Sequence, residues 1–289
     1  MENIYSPKYI AMLRAKHGFK HSKSLGQNFL TDIHIIEDII EGSEIGEDDL
    51  VIEIGPGMGV LTAAAAEYAA RVVAVEIDKH LLPVLEETLA GYDNIDIINA
   101  DIMKTDLNAI IREYGTGGKV RIIGNLPYYI TTPIIMKLLE ERVPADSITI
   151  MMQKEVADRI KASPGGKTYG ALSVATGFYC TVKHIANAPK EVFVPRPKVD
   201  STVIRLDIRP ECPVELIEEK LFFETVKAGF GQRRKTLLNS LTGVRGLAKT
   251  DISSALEDAG IDPQRRAETL SMQEFADVAN AIARIIGLS

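Results

Sequence analysis

The fold class is indicated by the run Leu50-Val51-Ile52-Glu53-Ile54-Gly55-Pro56-Gly57-Met58-Gly59, in which a mostly apolar segment leads directly into a glycine-rich turn. The apolar part predicts a buried strand, and the alanine-rich residues from Val60 onward predict a helix. Glycines in such a turn let a ligand approach the backbone closely. The run therefore predicts an α/β domain with a ligand site at the end of this strand.

Strands and helices alternate beyond this run. Apolar segments predict strands at 71–77, 95–99, 119–124 and 147–152, with helices at about 60–70, 79–89, 106–114 and from Pro133, and two later strands at 181–186 and 202–207. Repeated βα units imply a parallel, doubly wound sheet with right-handed crossovers. From residue 214 the pattern indicates helices only. We expect a basic amino-terminal arm over 1–23, an α/β domain over 24–210 and a small all-helical domain over 211–289.

The fourth predicted strand ends in the run Gly124-Asn125-Leu126-Pro127-Tyr128-Tyr129. Gly124 and Pro127 stop the strand, so Asn125 should lie at its carboxyl end, where open α/β sheets bind ligands. The side-chain carbonyl of Asn125 and the backbone carbonyl before Pro127 could accept both protons of one exocyclic amino group on a planar ring. Tyr128 would then stack on that ring. The alternative is a strand followed by a loop with a tyrosine plug.

Acidic residues end the second and third predicted strands. The spacing of the glycines excludes a dinucleotide fingerprint, which would need glycine where Val60 stands, and the sequence contains no P-loop. Glu76 could accept both hydrogens of a ribose diol, and Asp101 could accept from an adenine amino group with the Ile102 amide nearby. The alternative is an ordinary turn with acids that cap helices.

Composition excludes several classes of protein. With 46% hydrophobic and 25% charged residues the composition is that of a globular protein, and neither a long apolar run nor a secretory signal is present, so we expect a cytoplasmic protein with no membrane segment. Cys180 and Cys212 stand far apart, and the five histidines do not cluster. We therefore expect two reduced thiols and no metal site.

The charge is distributed unevenly. Residues 31–110 hold 3 Lys and Arg against 18 Asp and Glu, whereas residues 111–210 hold 15 against 9. The first 30 residues are also basic, with 5 against 1. An acidic half beside basic stretches suggests a polyanion bound by part of the surface, although scattered solvated charge remains the alternative.

Taken together, these motifs resemble those of the rRNA adenine N6-dimethyltransferases. Glu53 with the three glycines looks like the cofactor loop of S-adenosylmethionine-dependent methyltransferases. The order and spacing of the following motifs carry the closer resemblance: Gln27-Asn28-Phe29-Leu30, Glu53 to Gly59, Val75-Glu76-Ile77-Asp78, Asp101, Asn125 to Tyr129, Phe193 to Ser201 and Phe230 to Leu237. The pattern is most similar to the KsgA type, which methylates two adjacent adenosines near the 3′ end of 16S rRNA in the small subunit, during ribosome biogenesis. It is less similar to the Erm type, which acts on 23S rRNA.

The resemblance implies a Rossmann-like, S-adenosylmethionine-binding catalytic domain followed by a helical rRNA-binding domain. It implies a catalytic group in which Tyr128 and Phe193 sandwich the target base: Asn125, Leu126, Pro127, Tyr128 and Phe193. The cofactor-binding residues would be Asn28, Leu30, Gly55, Gly57, Glu76, Ile77, Asp101, Ile102 and Asn125. Tyr129 is given no catalytic role.

RNA contacts are expected from Arg196 and Lys198 and from the cations Arg233, Arg234 and Lys235, which we expect to open a helix. The expected partner is 16S rRNA in the small ribosomal subunit, bound by a monomer. Relatives that act as transcription factors leave a second possibility open, a binding factor for ribosome assembly or transcription that keeps the fold without needing turnover.

Overall fold

The computed structural model describes residues 4–19 and 25–288, which form two compact units. Unit 1 comprises the chain up to Ala157 together with Val182–Ile208, and unit 2 comprises Asp158–Thr181 and the chain from Arg209 onward. The division differs from the predicted boundary at residue 210, because Tyr169, Val174 and Phe178 are buried in the same apolar core as the carboxyl-terminal helices.

Seven strands form the main sheet of the described chain, and two short strands pair separately. In chain order the strands are β1 (Phe29–Leu30), β2 (Leu50–Ile54), β3 (Arg71–Glu76), β4 (Ile95–Asn99), β5 (Val120–Asn125), β6 (Ser147–Gln153), β7 (Cys180–Ala188), β8 (Phe193–Val194) and β9 (Ser201–Ile208). The order in the main sheet is β4-β3-β2-β5-β6-β9-β7, and β1 pairs antiparallel with β8.

Five strands of the main sheet are parallel, as the sequence predicts, but the sheet as a whole is mixed. β2 pairs parallel with both β3 and β5, β3 with β4, and β5 with β6, whereas β9 runs antiparallel to β6. The chain continues from β2 to β3 and β4 on one side and returns to β5 and β6 on the other. The carboxyl ends of β2 and β5 therefore flank a topological switch point, where α/β sheets bind ligands.

Most helices of unit 1 connect successive strands along the chain. Every residue of β2 is buried, and Val51 packs with Ile36 and Ile39 of one helix and Leu61 of another. The helices up to the boundary are α1 (Pro7–His17), α2 (Ile33–Ser43), α3 (Val60–Ala66), α4 (Leu82–Thr88), α5 (Leu107–Tyr114) and α6 (Thr131–Glu140), and α7 (Lys154–Ile160) spans the boundary after Ala157.

The predicted basic arm contains a packed helix. α1 is capped by the Ser6 side chain and buries Ile10 and Leu13 in a cluster with Phe29 and Met58. Lys16 donates a hydrogen bond to Glu87 on α4. This part of the arm therefore belongs to unit 1 rather than extending from it. Lys20, His21 and Lys23 of the predicted arm lie outside the described residues.

Unit 2 is helical. Its aromatic core includes Phe222 and Phe275, both fully buried, and Phe178 stacks on Phe222 with ring centroids 5.3 Å apart. The helices are α8 (Ala171–Tyr179), α9 (Glu219–Gly231), α10 (Leu237–Leu241), α11 (Lys249–Asp258) and α12 (Met272–Ile285).

Candidate active site

The glycine turn after β2 presents bare backbone to a cavity. Gly55 has φ +70°, and a Cβ at this position would find no heavy atom within 4 Å, so the turn leaves open space there. Gly57 has φ +60°, and a Cβ there would stand 3.1 and 3.2 Å from ring carbons of Phe29. Left-handed backbone at both positions strongly favours glycine. The turn therefore has the cradle that close approach of a ligand requires.

Glu76 ends β3 beside this turn. Its carboxylate accepts hydrogen bonds from the backbone N–H of Asp78 at 2.7 Å and of Gly57 at 3.3 Å. The side chain is only 4% exposed, and burial raises the pKa of the carboxyl group above its ordinary value. Glu76 thus holds the glycine turn in place, and each of its oxygens keeps a lone pair with which to accept a ligand hydroxyl.

Glu53 is a second buried acid at the site. It is 1% exposed and accepts a hydrogen bond from the Thr62 hydroxyl at 2.5 Å. Burial raises the pKa of Glu53 to about 8, and the nearby charge of Glu76 acts in the same direction. Near neutral pH the carboxyl group is therefore protonated in the folded protein.

Asn125 lies at the carboxyl end of β5, as the sequence predicts. Its amide nitrogen Nδ2 donates a hydrogen bond to the Asn28 carbonyl at 2.9 Å. Because the nitrogen is used in this way, the side-chain oxygen Oδ1 remains as the acceptor for a ligand. Within the described chain neither this oxygen nor the Leu126 carbonyl accepts a recorded hydrogen bond. Two acceptors that a ligand amino group could use therefore stand on consecutive residues.

Tyr128 follows in the same turn. Its hydroxyl lies 2.8 Å from the Ser201 hydroxyl oxygen, and burial raises the pKa of the phenol. A half-buried ring fixed at its hydroxyl end is suited to stack on a planar ligand.

The segment from Leu25 to Leu30 closes the site from the amino-terminal side. Gln27 donates to the Asp78 carboxylate at 2.8 Å, and Asn28 donates from its side chain to the Gly26 carbonyl at 3.0 Å. Phe29 and Leu30 form β1 and pair with β8.

These four segments line one cavity of about 830 Å³, part of which is open to solvent. Most of the predicted catalytic and cofactor-binding residues are in its lining: Asn28, Leu30, Gly55, Gly57, Glu76, Ile77, Asn125, Leu126, Pro127 and Tyr128. The lining also includes residues that the sequence interpretation does not count among the site residues, among them Gln27, Phe29, Glu53 and Tyr129. All four stand in motifs on which the family resemblance rests, and membership in those motifs is the sequence signal that could have identified them.

Three predicted site residues are not in this lining. Asp101 follows β4, beside the Glu76 strand, where its carboxylate accepts from the Met103 N–H at 3.0 Å, and Ile102 is buried. Phe193 is only 2% exposed and packs in the core of unit 1 opposite Leu30. The structure thus places the Phe193 ring in the core, and its stacking role stays a prediction, as do the adenine contacts of Asp101 and Ile102.

The predicted RNA-binding cations are exposed, but their setting differs from the expectation. Arg196 pairs with Glu191, and Lys198 is exposed. Arg233, Arg234 and Lys235 lie in the turn between α9 and α10 and do not open a helix, because the cap of α10 is Thr236. Arg233 donates to the carbonyls of Lys167 and Tyr169 at 3.0 and 3.2 Å, so it also fixes a loop of unit 2.

The described residues contain no group of three or more His, Cys, Asp or Glu side chains that could hold a metal ion. Among the helices described, none is long and apolar enough to cross a membrane.

Comparison with known proteins agrees with this geometry. Residues 18–284 match a family model described as "Ribosomal RNA adenine dimethylase". The chain is 52% identical over 285 residues to "Ribosomal RNA small subunit methyltransferase A" of Alkaliphilus oremlandii, covering 98% of this chain and 99% of the relative. Among solved structures, a dimethyladenosine transferase from Plasmodium falciparum has a TM-score of 0.73 at 24% identity, covering 86% of this chain and 95% of that chain. The 23S rRNA methyltransferase ErmE has a TM-score of 0.66 at 27% identity, covering 88% and 99%. The chain therefore belongs to the ribosomal RNA adenine dimethylase family of S-adenosylmethionine-dependent methyltransferases.

Proposed function

We propose that this chain transfers methyl groups from S-adenosylmethionine to the N6 nitrogens of two adjacent adenosines near the 3′ end of 16S rRNA, on the small ribosomal subunit during its biogenesis. The observation that carries the proposal is the pair of acceptors at Asn125 and Leu126, in the same cavity as the glycine turn and Glu76. The similarity to a small-subunit rRNA methyltransferase at 52% identity supports the choice of the small subunit over the 23S rRNA of the more distant ErmE.

The residues of the cavity fit the cofactor. The open space at Gly55 admits a ligand against the backbone, and Glu76 offers carboxylate oxygens to a ribose diol. Asn28 and Leu30 line the same cavity from the other side, and we assign Gly57 and Ile77 to the cofactor as well. Bound S-adenosylmethionine supplies an electrophilic methyl group on a sulfonium.

The chain's own contribution to transfer is orientation and charge stabilisation. The N6 lone pair of adenine is delocalised into the ring, so the enzyme has to favour the pyramidal amine. Asn125 Oδ1 and the Leu126 carbonyl accept its two N–H groups, and these hydrogen bonds strengthen as positive charge develops on the nitrogen. Pro127 has no N–H and fixes the backbone just after the Leu126 carbonyl. No strong base is needed, because the proton can leave to water afterwards.

RNA is bound by exposed cations of both units, each acting on phosphates. In unit 1 these are Arg196 and Lys198, and in unit 2 Arg234 and Lys235, with Arg233 shared between RNA and its carbonyl partners. Phosphate contacts give affinity without reading sequence, so the choice of adenosine rests on the cavity. We propose that the protein acts as a cytoplasmic monomer.

The proposal is tested by supplying labelled S-adenosylmethionine to small subunits that lack the modification and mapping the label. Large subunits serve as the parallel substrate, and Asn125→Ala serves as the inactive control. Label on N6 of two adjacent adenosines near the 3′ end of the small-subunit RNA is the expected result. Label in the large subunit would favour the Erm-type reaction. Tight binding to small subunits without transfer would favour an assembly factor.

A further inference from the structure

Tyr129 is an exposed aromatic side chain at the mouth of the cavity. It lines the cavity next to Tyr128 but is 58% exposed. Exposure alone says little, because Tyr68, outside the cavity lining, is exposed to the same extent. The surroundings of Tyr129 distinguish it from an ordinary surface tyrosine.

The backbone on both sides of Tyr129 is fixed. The Pro127 carbonyl accepts hydrogen bonds from the Ile130 N–H at 3.1 Å and from the Thr131 hydroxyl at 2.9 Å, which closes the turn around Tyr129. The ring lies beside Gly26, since its Cδ1 and Cε1 atoms lie 3.5 and 3.7 Å from the place where a Cβ on Gly26 would stand. An aromatic ring on a fixed backbone loses less conformational entropy when a ligand stacks on it than a ring on a mobile loop does.

The support of Tyr129 is connected to the catalytic amide. Asn28 donates to the Gly26 carbonyl, and Asn125 donates to the Asn28 carbonyl. The segment beside which Tyr129 lies is thus the segment that orients Asn125.

We propose that Tyr129 stacks on the nucleobase next to the target adenosine and holds that flanking nucleotide outside the cavity while the target base is inside. The inference rests on the proposed function, because it requires an RNA substrate. Tyr128 is half-buried and its hydroxyl is hydrogen-bonded to Ser201, which suits stacking on a base inside the cavity. The exposed ring of Tyr129 suits stacking on a base that stays partly in water. Extruding the target removes a stacking partner from its neighbour, and an aromatic ring replaces that partner for any base.

The test compares Tyr129→Ala, Tyr129→Phe and Tyr129→Trp with the parent in methyl transfer to unmodified small subunits. Tyr68→Ala is the matched control, because it removes an equally exposed ring. We expect Tyr129→Ala to raise the KM for small subunits by about 5- to 150-fold, the range that one base stack supplies. Its kcat should stay within about threefold and its affinity for S-adenosylmethionine should match the parent. Phe and Trp should restore KM to within about threefold, and Tyr68→Ala should be unchanged.

The outcomes separate this inference from the function on which it rests. A parent that transfers methyl groups to small subunits together with an Ala variant of unchanged KM would overturn the stacking role alone. The same holds if Phe and Trp fail to rescue, which would point to the hydroxyl, or if cofactor affinity falls in parallel with KM, which would point to a distorted cavity. A parent with no transfer to small subunits would overturn both.

Discussion

The ionisable side chain of Glu53 is almost fully buried. The folded protein keeps its carboxyl protonated up to about pH 8, whereas the unfolded chain ionises it near its ordinary pKa of 4.5. Between these values the folded state binds the additional proton, so this group makes the free energy of unfolding fall as pH rises, until the folded pKa has been passed. The hydrogen bond from Thr62 opposes the shift but does not cancel it.

We therefore expect Glu53→Gln to remove this pH dependence. The difference in unfolding free energy between parent and variant should change by about 2 to 3 kcal/mol between about pH 6 and about pH 9, with the parent relatively weaker at the higher pH. Urea titrations at the two pH values measure it. Glu47→Gln, at an exposed position, is the control and should follow the parent. A parent-to-variant difference independent of pH would contradict a buried, protonated Glu53.

Glu76 is expected to contribute to cofactor affinity through its charge. Glu76→Gln should weaken S-adenosylmethionine binding by about 1 to 3 kcal/mol, because neutral hydrogen bonds to a hydroxyl are weaker than those to a carboxylate. Gln is preferable to Ala here, since it keeps an acceptor for one of the two backbone N–H groups that Glu76 satisfies. Calorimetry measures the change. If a folded Glu76→Gln protein binds the cofactor like the parent, Glu76 is not a cofactor ligand.

Asn125 should act mainly on transfer. For Asn125→Ala we expect cofactor affinity within about 1 kcal/mol of the parent but a transfer rate at least about 100-fold lower, since its contact strengthens as charge develops on the target nitrogen. Single-turnover rates at saturating cofactor separate the two effects. Asn239→Ala, at an exposed position of α10, is the control. A loss confined to cofactor binding would show that the main role of Asn125 is to hold the Asn28 segment.

At the residue scale the sequence predicted the positions of the residues that stand at strand ends and line the cavity. Asn125 and Glu76 were predictable because the carboxyl ends of parallel strands meet at one edge of the sheet. The burial of Phe193 and the carbonyl partners of Arg233 were not, because both depend on segments remote in the chain. Local patterns report which residue types are present, but burial and pairing are tertiary properties.

The turn between α9 and α10 carries all three of the predicted RNA-binding cations of unit 2. Arg233 and Arg234 follow the carboxyl-terminal end of α9, where the helix dipole favours a cation, whereas Lys235 directly precedes the Thr236 cap of the short helix α10. Arg233 is tied to Lys167 and Tyr169, which leaves Arg234 and Lys235 as the pair that phosphate binding can use without rearrangement.

Replacing both Arg234 and Lys235 with Ala should weaken binding to small subunits and reduce the slope of log affinity against log salt by up to about 1.8. The double variant Lys220→Ala/Lys227→Ala removes the same charge from exposed positions of α9 and is the control. Binding measured across a salt series gives the slopes. Equal slopes in the two double variants would show that only net charge matters and that the turn is not an RNA contact.

The elements themselves were largely predictable, with errors where a long-range contact decides the outcome. A glycine in a helical pattern is a local signal for the end of a helix, yet α2 continues past Gly42 through Ser43. The reason for a glycine lies across the fold, since a Cβ there would stand 2.6 Å from the Ile185 side chain. Likewise, the strand over Ser201–Ile208 was predicted from its apolar residues, but its antiparallel pairing with β6 is set by topology.

On the scale of the whole molecule, each of the two units is built from two separate stretches of the chain. Repeated βα patterning predicted the sheet of unit 1, and the helical pattern after residue 214 predicted most of unit 2. The sequence places the segment Asp158–Thr181 in the first domain because the predicted boundary lies at residue 210. Its apolar residues Val174 and Phe178 instead complete the helical core.

This interleaving constrains how the molecule can be synthesised and recombined. The residues of Asp158–Thr181 leave the ribosome before α9 and α12 have been synthesised. The core that contains Phe178 can therefore form only after Phe222 and Phe275 have been added to the chain. A gene fragment that begins at residue 211 encodes a helical unit with part of its interior missing. Exchange of helical units between relatives therefore needs three junctions, one on each side of Asp158–Thr181 and one before Arg209. A chimera joined at a single point would have a helical core whose residues come from two different parents.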